Sequence, residues 1–260
     1  MLSYQHSYHA GGPADVHKHI ALAELLMLLT GKDRGISYIE THAGRGLYDL
    51  GSEETAKTGE AAEGIDCLDL DPATPFGGAL ADVRCKHGAK AYPGSPMVAA
   101  SLLRPQDRLL LMEKHPQELA ALKQAMKGTG AEVHGRDGYE GALALTPPLP
   151  RRGLVLIDPS YERKDEYLAA GDLAVTLHAR WPEAALLIWY PILKAGRHEA
   201  LIARVSLLHT IRHEARFNLK GGQGMLGSGL LLVGAPYGSD EALARVMKQG
   251  APVLRGGPPC

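Results

Sequence analysis

Residues 153–161 of this chain read GLVLIDPSY, and the first five of them decide the fold class. Residues 153–157 are apolar or glycine with no polar alternation, which is the pattern of a β-strand buried on both faces. Such strands occur in parallel sheets that are covered by helices on both sides. The stretch therefore predicts an α/β protein with a buried parallel strand at residues 153–157.

A short polar tetrad follows this strand, formed by Asp158, Pro159, Ser160 and Tyr161. In open α/β sheets, ligands bind just outside the carboxyl ends of the strands. An aspartate there can accept one N–H, the following backbone carbonyl can accept another, and the tyrosine ring can stack on a planar group. The tetrad therefore favours a site for a planar ring that bears an amino group. An ordinary Asp-Pro turn after a strand is the alternative.

A glycine-containing loop follows an earlier short strand, because residues 36–46 read ISYIETHAGRG. Glycines such as Gly44 and Gly46 let the backbone approach a ligand closely at the first strand of a doubly wound sheet. The loop departs from the dinucleotide fingerprint, since His42 stands where the first glycine belongs and the spacing is compressed. An ordinary strand-to-helix turn therefore remains an alternative for this loop.

Two more predicted strands end at acidic residues. Residues 107–113 read DRLLLME, and Glu113 stands where a nucleoside-binding fold accepts hydrogen bonds from ribose hydroxyls. Asp137 and Gly138 follow a third strand, where the aspartate can accept the amine of a cofactor adenine or simply form a turn. The ribose-binding acid usually lies about 20 residues after the glycine loop. The assignment of Glu113 therefore requires residues 47–105 to be an inserted, mainly helical segment.

The remaining segments predict the rest of the sheet. Residues 184–191 form a further buried run that ends at Pro191, and residues 230–233 form a last strand after a glycine-rich loop at 221–229. Strands that alternate with helices predict a mostly parallel sheet covered on both faces, and the last pair suggests an antiparallel edge. A seven-stranded sheet of this order is the Rossmann-like fold of class I S-adenosylmethionine-dependent methyltransferases.

Composition places the chain among ordinary globular proteins. No apolar run approaches the roughly 18–20 residues of a membrane span, and the N-terminus lacks a signal pattern. We therefore expect a cytoplasmic protein without a membrane partner. Cys67, Cys85 and Cys260 have neither paired nor metal-ligand spacing, so we expect free thiols and no metal site.

The charge is unevenly distributed along the chain. A net charge of −1 argues mildly against a nucleic-acid partner. Residues 53–71 are strongly acidic, however, while residues 194–220 carry a surplus of lysine and arginine. A local basic face for RNA is therefore compatible with the composition. Lys18 and His19 fall in the early turns of a predicted helix that ends at Gly31, where such a cluster usually forms a solvated patch.

Motifs in the order of the chain resemble those of the bacterial ribosomal RNA adenine-N6 methyltransferases that modify one adenine of 23S rRNA. The shared pieces span nearly the whole chain, and the N-terminal one is the most specific to that family. They are LSYxHSxHAG at 2–11, DVxKH at 15–19, THAGxG at 41–46, YPGSP at 92–96, ExHP at 113–116, DG at 137–138, RRG at 151–153, DPxYE at 158–162, WYP at 189–191 and GMxxSG at 224–229.

The resemblance implies S-adenosylmethionine as cofactor and roles for individual residues. It implies a cofactor pocket lined by His19, His42, Ser95, Glu113, Asp137, Gly138 and Asp158. The glycine loop adds Gly44 to this pocket. The resemblance implies that Asp158 is the catalytic acceptor, together with Pro159 and Tyr161 of the tetrad. It also implies that Tyr4 contacts the RNA, and His6 and Lys18 of the same motif are expected to help in binding.

One position departs from the family pattern, because the third residue of the tetrad is usually proline and here is Ser160. Proline stiffens a loop through its fixed φ, so serine is expected to make the tetrad more mobile while removing no proton acceptor. A DNA adenine-N6 methyltransferase and a catalytically weak, methyltransferase-like RNA-binding protein are the alternatives. We expect a monomeric single domain over residues 1–260, with an N-terminal RNA- and cofactor-contacting motif and helix at 1–31 and an inserted subdomain at 47–105.

Overall fold

The computed structural model describes residues 6–217 and 224–255, so the contact predicted for Tyr4 lies outside the described residues. Within that part, helices and strands alternate along most of the chain. The strands are β1 Ser37–Glu40, β2 Leu47–Asp49, β3 Ala91–Pro93, β4 Arg108–Met112, β5 Glu132–His134, β6 Gly153–Ile157, β7 Ala184–Leu193, β8 Thr210–Arg216 and β9 Met225–Val233. The helices are α1 Pro13–Thr30, α2 Glu53–Thr58, α3 Glu60–Glu63, α4 Pro75–His87, α5 Ser95–Leu102, α6 Pro116–Ala125, α7 Gly138–Leu145, α8 Glu166–Arg180, α9 His198–Val205, α10 Ser239–Gln249 and α11 Ala251–Leu254.

Seven of these strands form one sheet in the order β5-β4-β1-β6-β7-β9-β8. The strands from β5 to β7 are parallel, and β9 runs antiparallel between β7 and β8. All five residues of β6 are buried, as the unalternating run predicts. The mostly parallel seven-stranded sheet with an antiparallel edge is therefore confirmed, and the carboxyl ends of β4, β1, β6 and β7 lie side by side.

The structure corrects two boundaries near this antiparallel edge. β7 does not end at Pro191 but continues to Leu193. Its pairing with β6 stops at Ile188, so the N–H that Pro191 lacks is not needed for that pairing. β9 begins at Met225, so half of the predicted glycine-rich loop is strand. Glycine is needed in that strand for close packing, since a Cβ at Gly229 would lie 2.1 Å from the Tyr190 ring.

Helix α1 is buried around most of its circumference, and this corrects the expected solvated patch. His17, Lys18 and His19 are each less than 5% exposed. The helix packs against α5 and α10 and also against strands β7 and β9. Its charged and polar side chains therefore need partners inside the protein, because an unpaired buried charge is costly.

The segment between β1 and β4 leaves the main sheet before returning to it. It contains the antiparallel pair β2–β3 and the helices α2 to α5, and α5 packs against α1. The division into a motif at 1–31 and an inserted subdomain at 47–105 stays a prediction.

The cysteines differ from each other in the structure. Cys85 is an exposed free thiol, whereas Cys67 is disulfide-bonded, so the expectation of free thiols is wrong for Cys67. No helix among the described residues is long and apolar enough to cross a membrane.

We predict that Gly153→Ala destabilises the protein by about 1–3 kcal/mol, because it overpacks the start of β6. A Cβ at Gly153 would lie 2.2 Å from the Ser37 carbonyl oxygen and 2.7 Å from the Trp181 ring. Urea unfolding measures the change in free energy. Gly31→Ala is the matched control, since its φ is −63° and its Cβ would meet nothing closer than 3.4 Å. A Gly153→Ala protein as stable as the control would contradict the packing argument.

Candidate active site

A cleft of about 630 Å³ opens at the carboxyl ends of the parallel strands and is bordered by the N-terminal part of α1. Its size lies in the usual range for small-molecule and cofactor sites. Every described residue that the sequence analysis named as a site residue lines it: His6, Lys18, His19, His42, Gly44, Ser95, Glu113, Asp137, Gly138, Asp158, Pro159 and Tyr161. The fold therefore brings these residues together, while their individual roles stay predictions.

Asp158, at the tip of β6, is held by a buried lysine. The Lys18 Nζ lies 2.6 Å from Asp158 Oδ2 and 3.1 Å from Asp15 Oδ1, and the Lys18 side chain is only 5% exposed. Asp15 in turn accepts from His6 Nε2 at 2.9 Å and from the Gly11 N–H. Burial alone would raise the pKa of Asp15, but the charges of His6 and Lys18 hold that pKa well below its usual range. Lys18 thus joins α1 to the tip of β6 through two carboxylates.

The two carboxylate oxygens of Asp158 differ in their contacts. Within residues 6–217 and 224–255, Lys18 donates to Oδ2 and no group donates a hydrogen bond to Oδ1. The Asp158 side chain is 11% exposed, at the edge of the cleft. A carboxylate whose charge is balanced on one side can accept an N–H on the other. This arrangement suits an amino group placed beside the tetrad.

Tyr161 is fixed by the neighbouring strand rather than left mobile. Its φ of 55° lies in the left-handed region, which a tyrosine adopts only under constraint from its surroundings. Its hydroxyl donates to the Trp189 carbonyl at 2.6 Å, and its ring lies 4.5 Å from that of Tyr167 and 5.8 Å from that of Trp189. Tyr161 is therefore a buried, rigid wall of the cleft.

Glu40 lies close to Asp158 and was not named as a site residue from the sequence. It ends β1, one strand away from Asp158, and is fully buried. Its Oε1 accepts from Ser95 Oγ at 2.5 Å and its Oε2 from Tyr38 Oη at 3.0 Å. Burial raises the pKa of Glu40 to about 8, with the charge of Asp158 acting in the same direction. Ser95, predicted to bind the cofactor, thus also holds a neutral acid behind the cleft.

Glu113 and Gly44 meet at the tips of β4 and β1. The carboxylate accepts the Gly44 N–H at 2.9 Å and the His115 N–H at 2.6 Å. Burial raises the pKa of Glu113, and these backbone hydrogen bonds partly oppose the shift. Glu113 therefore shapes the glycine loop in addition to presenting acceptor oxygens toward the cleft.

Asp137 is the N-cap of α7, accepting the N–H groups of Tyr139 and Glu140. Burial would raise its pKa, but these backbone hydrogen bonds and the nearby Lys114 lower it overall. A glycine is needed at position 138 because the backbone just after β1 approaches it closely. A Cβ at Gly138 would lie 1.9 Å from the Thr41 carbonyl oxygen. The Asp-Gly pair is thus a helix start as well as part of the cleft wall.

His19 and His42 are neutral side chains of the cleft. His19 Nδ1 lies 2.8 Å from Tyr92 Oη, and burial lowers the pKa of His19 to about 3. His42 Nδ1 lies 2.8 Å from Thr41 Oγ1, and burial lowers the pKa of His42 to about 4. Both rings can therefore donate or accept hydrogen bonds at neutral pH without contributing charge.

Sequence reasoning named neither Asp15, Glu40 nor Trp189 as a site residue, although all three belong to its motifs or strand tips. Asp15 and Trp189 lie in quoted motifs, and Glu40 is the acid that ends the first strand. Local sequence patterns do not show that α1, β6 and β7 pack together and bring these side chains into one site. Among residues 6–217 and 224–255, no group of three or more His, Cys, Asp or Glu side chains could hold a metal ion.

We predict that the unfolding free energy of the wild type falls as pH rises because of Glu40, and that Glu40→Gln abolishes this fall. The unfolded chain ionises Glu40 near pH 4.5 and the folded protein only near pH 8. Between these values the folded state holds the extra proton, so the unfolding free energy falls with pH by up to about 1.4 kcal/mol per unit. Glutamine cannot ionise, so the variant gains on the wild type from pH 5 to 8. Urea unfolding across that range checks this, and parallel curves for the two proteins would contradict it.

The comparisons with known proteins agree on one family. The family model described as "Ribosomal RNA large subunit methyltransferase D, RlmJ" matches residues 33–253. The chain is 34% identical to Ribosomal RNA large subunit methyltransferase J of Escherichia coli K12, over 95% of this chain and 92% of that protein. It is 36% identical to the protein of the same name from Haemophilus influenzae, with the same coverage.

A crystal structure of a Legionella pneumophila protein is similar over most of its length. It superimposes with a TM-score of 0.83 at 33% identity, covering 94% of this chain and 95% of that one. The structural likeness therefore covers nearly all of both chains. Together with the family match, it shows that this chain belongs to the RlmJ family of large-subunit ribosomal RNA methyltransferases.

Proposed function

We propose that this protein transfers a methyl group from S-adenosylmethionine to the exocyclic N6 of one adenine in 23S rRNA. The observation that carries the proposal is the Asp158 carboxylate at the strand tip that opens into the cleft, where Lys18 bonds to Oδ2 and no group within residues 6–217 and 224–255 donates to Oδ1. Pro159 lines the same cleft. The relatives are named as ribosomal RNA methyltransferases, which supports rRNA as the substrate. The N6 atom as acceptor rests on the tetrad.

The side chains of the cleft fit S-adenosylmethionine. Glu113 and Asp137 offer carboxylate oxygens to hydroxyl and amino groups, and Gly44 leaves room for close backbone approach. Acidic residues around the cleft suit a cofactor that carries a positive sulfonium. When bound, the cofactor supplies an electrophilic methyl group. We propose that His19, His42, Ser95 and Gly138 complete the walls of this cofactor site.

Asp158 and Pro159 would prepare the target amine. The exocyclic amine of adenine is a poor nucleophile because its lone pair is delocalised into the ring. Hydrogen bonds from its two N–H groups to Asp158 Oδ1 and the Pro159 carbonyl would favour a pyramidal nitrogen with its lone pair available. Alignment of the reacting groups contributes strongly, since effective molarities of well-oriented reactants are very large. The proton released from the amine passes to Asp158 or to water.

Lys18 would act on Asp158 rather than on the base. By bonding Oδ2 at 2.6 Å, it fixes the position of the carboxylate. The RNA must present an unstacked adenine, which costs a few kcal/mol and is cheapest in loops or mismatches. The rigid ring of Tyr161 would then stack on that base. We propose that His6 and the N-terminal motif face the RNA, that Lys18 of the same motif helps in binding through Asp158, and that the segment 194–220 adds phosphate contacts.

Several of the basic residues in that segment are already paired with acids. Arg204 bonds to Asp172, while Arg212 and Arg216 lie beside Glu214. Exposed pairs of this kind contribute little to stability, so they can exchange for phosphates. We further propose that the protein works as a cytoplasmic monomer on free 23S rRNA or an assembly intermediate.

Asp158→Ala is predicted to lower the rate of methyl transfer by about a hundredfold or more, because the amine loses its charged acceptor. Labelled S-adenosylmethionine with 23S rRNA measures the rate, and the thermal unfolding midpoint shows that the variant is folded. Glu132→Ala is the control, because Glu132 is an exposed acid at the start of β5 and does not line the cleft. Unchanged transfer in the Asp158 variant would overturn the proposed role.

The nature of the substrate is tested separately. Mass mapping of 23S rRNA from cells with and without the protein should show one adenine that loses a methyl group. Looped RNA and DNA oligonucleotides, compared with the same labelled cofactor, should show methylation of the RNA alone. Methylation of DNA only would favour a DNA adenine methyltransferase, and cofactor binding without methylation of either would favour an RNA-binding protein.

Ser160→Pro is predicted to stabilise the protein by about 0.4–1 kcal/mol and to leave the methylation rate within about twofold of wild type. Proline removes an N–H, and no described residue accepts a hydrogen bond from the Ser160 N–H. The only contact of the Ser160 hydroxyl in the described chain is a long one of 3.5 Å to Glu166. Urea unfolding and initial rates measure both effects, and a large fall in either would show that serine has a specific role.

A further inference from the structure

A line of hydrogen bonds runs from the cleft to the outer strand of the sheet. Trp189 Nε1 lies 2.8 Å from Ser228 Oγ, and Ser228 Oγ lies 2.9 Å from His17 Nδ1. His17 Nε2 lies 2.8 Å from His213 Nδ1. The line crosses β7, β9, α1 and β8. Ser228 and His17 are fully buried.

The direction of every hydrogen bond in this line follows from Trp189. Its indole N–H is only a donor, so the Ser228 oxygen accepts from it. Among the described residues, the only other hydrogen-bond partner of the Ser228 hydroxyl is His17 Nδ1. The Ser228 hydroxyl therefore donates to His17 Nδ1, which carries no proton.

The direction then continues to the edge strand. Burial lowers the pKa of His17 to about 3 and also lowers that of His213, so each ring carries one proton at neutral pH. The proton of His17 is therefore on Nε2, and it donates to His213 Nδ1. All donors in the line point away from the cleft.

Trp189 supports two elements of the proposed reaction at once. Lys18 Nζ lies 5.5 Å from the centre of its ring, within the range of a cation–π interaction. Its backbone carbonyl accepts the Tyr161 hydroxyl at 2.6 Å. A rotation of the indole would therefore disturb both Lys18, which lies over its ring, and the Tyr161 ring, which packs 5.8 Å from it.

We propose that Trp189 is a positioning residue of the methyl transfer, and that Ser228, His17 and His213 hold it through a one-directional line of hydrogen bonds. The inference rests on the proposed function for the reaction that it affects. The structural part, a fixed direction of hydrogen bonding from Trp189 to His213, stands without it. His213 is the best position for a test substitution, because it is half-buried on the edge strand β8 at the end of the line away from the cleft.

The line itself is tested by the indole N–H signals of the protein. The chain has two tryptophans, Trp181 and Trp189, so a ¹⁵N-tryptophan sample gives two indole cross peaks. Ser228→Ala and His213→Ala should both shift the Trp189 peak and speed its hydrogen exchange. The Trp181 peak should stay in place, because its N–H donates to the Arg151 carbonyl elsewhere. A Trp189 peak that does not move in His213→Ala would overturn the line.

The effect on the reaction is tested with a conservative partner variant. His213→Ala should lower kcat about tenfold, on the scale of one lost hydrogen bond, and leave KM for S-adenosylmethionine unchanged. His213→Asn should recover most of the rate, because its Oδ1 takes the place of the accepting Nδ1. Ile211→Val, on the same face of β8, is the control. Equal rates in the Ala and Asn variants would overturn the positioning role.

The failures of the two proposals are distinguishable. If the wild type methylates no rRNA, the proposed function fails, while the indole spectra still show whether the line exists. If the wild type methylates rRNA and His213→Ala is as fast, the positioning role fails and the function stands.

Discussion

The buried ammonium of Lys18 lies within hydrogen-bond distance of Asp15 on its own helix and of Asp158 at the tip of β6. A charge with so little exposure must be paired, since the loss of one partner of a buried ion pair costs several kcal/mol. This requirement fixes how α1 docks on the sheet. A rotation of α1 that separated Lys18 from Asp158 would carry Lys18 and Asp15 away together and break the pair with Asp158, so helix packing and the geometry of the tetrad are set together.

The same constraint places two neighbouring acids in different surroundings. Glu40 and Asp158 stand at the tips of adjacent strands, and two like charges there would repel. Lys18 donates a hydrogen bond to Asp158. Glu40 instead accepts hydrogen bonds from two hydroxyl groups, and burial raises its pKa to about 8. The neutral acid and the paired carboxylate can therefore coexist. This is a common way in which enzymes assign different roles to carboxyl groups in one site.

Much of this arrangement could be predicted from local patterns. Unalternating runs located β4 and β6, and the residues that follow strands located Glu113, Asp137 and Asp158, because the tips of parallel strands meet at one edge. Patterns failed where long-range packing decides. Lys18 and His19 looked like a solvated patch because their partners lie far away in sequence. The glycine-rich stretch looked like a loop, although Gly229 is the strand residue that makes room for the Tyr190 ring.

The position of Ser160 in the tetrad illustrates the same division between local and distant causes. From sequence, replacing proline by serine suggests a looser loop, because serine does not fix φ. In the structure, however, the tetrad is held at both ends by distant groups: Lys18 binds Asp158, and the Trp189 carbonyl binds Tyr161. Tyr161 keeps a left-handed φ of 55°, a conformation that persists only where surrounding contacts impose it. With both ends fixed, the stiffness of the residue between them matters little, so the tetrad can keep its shape without the second proline.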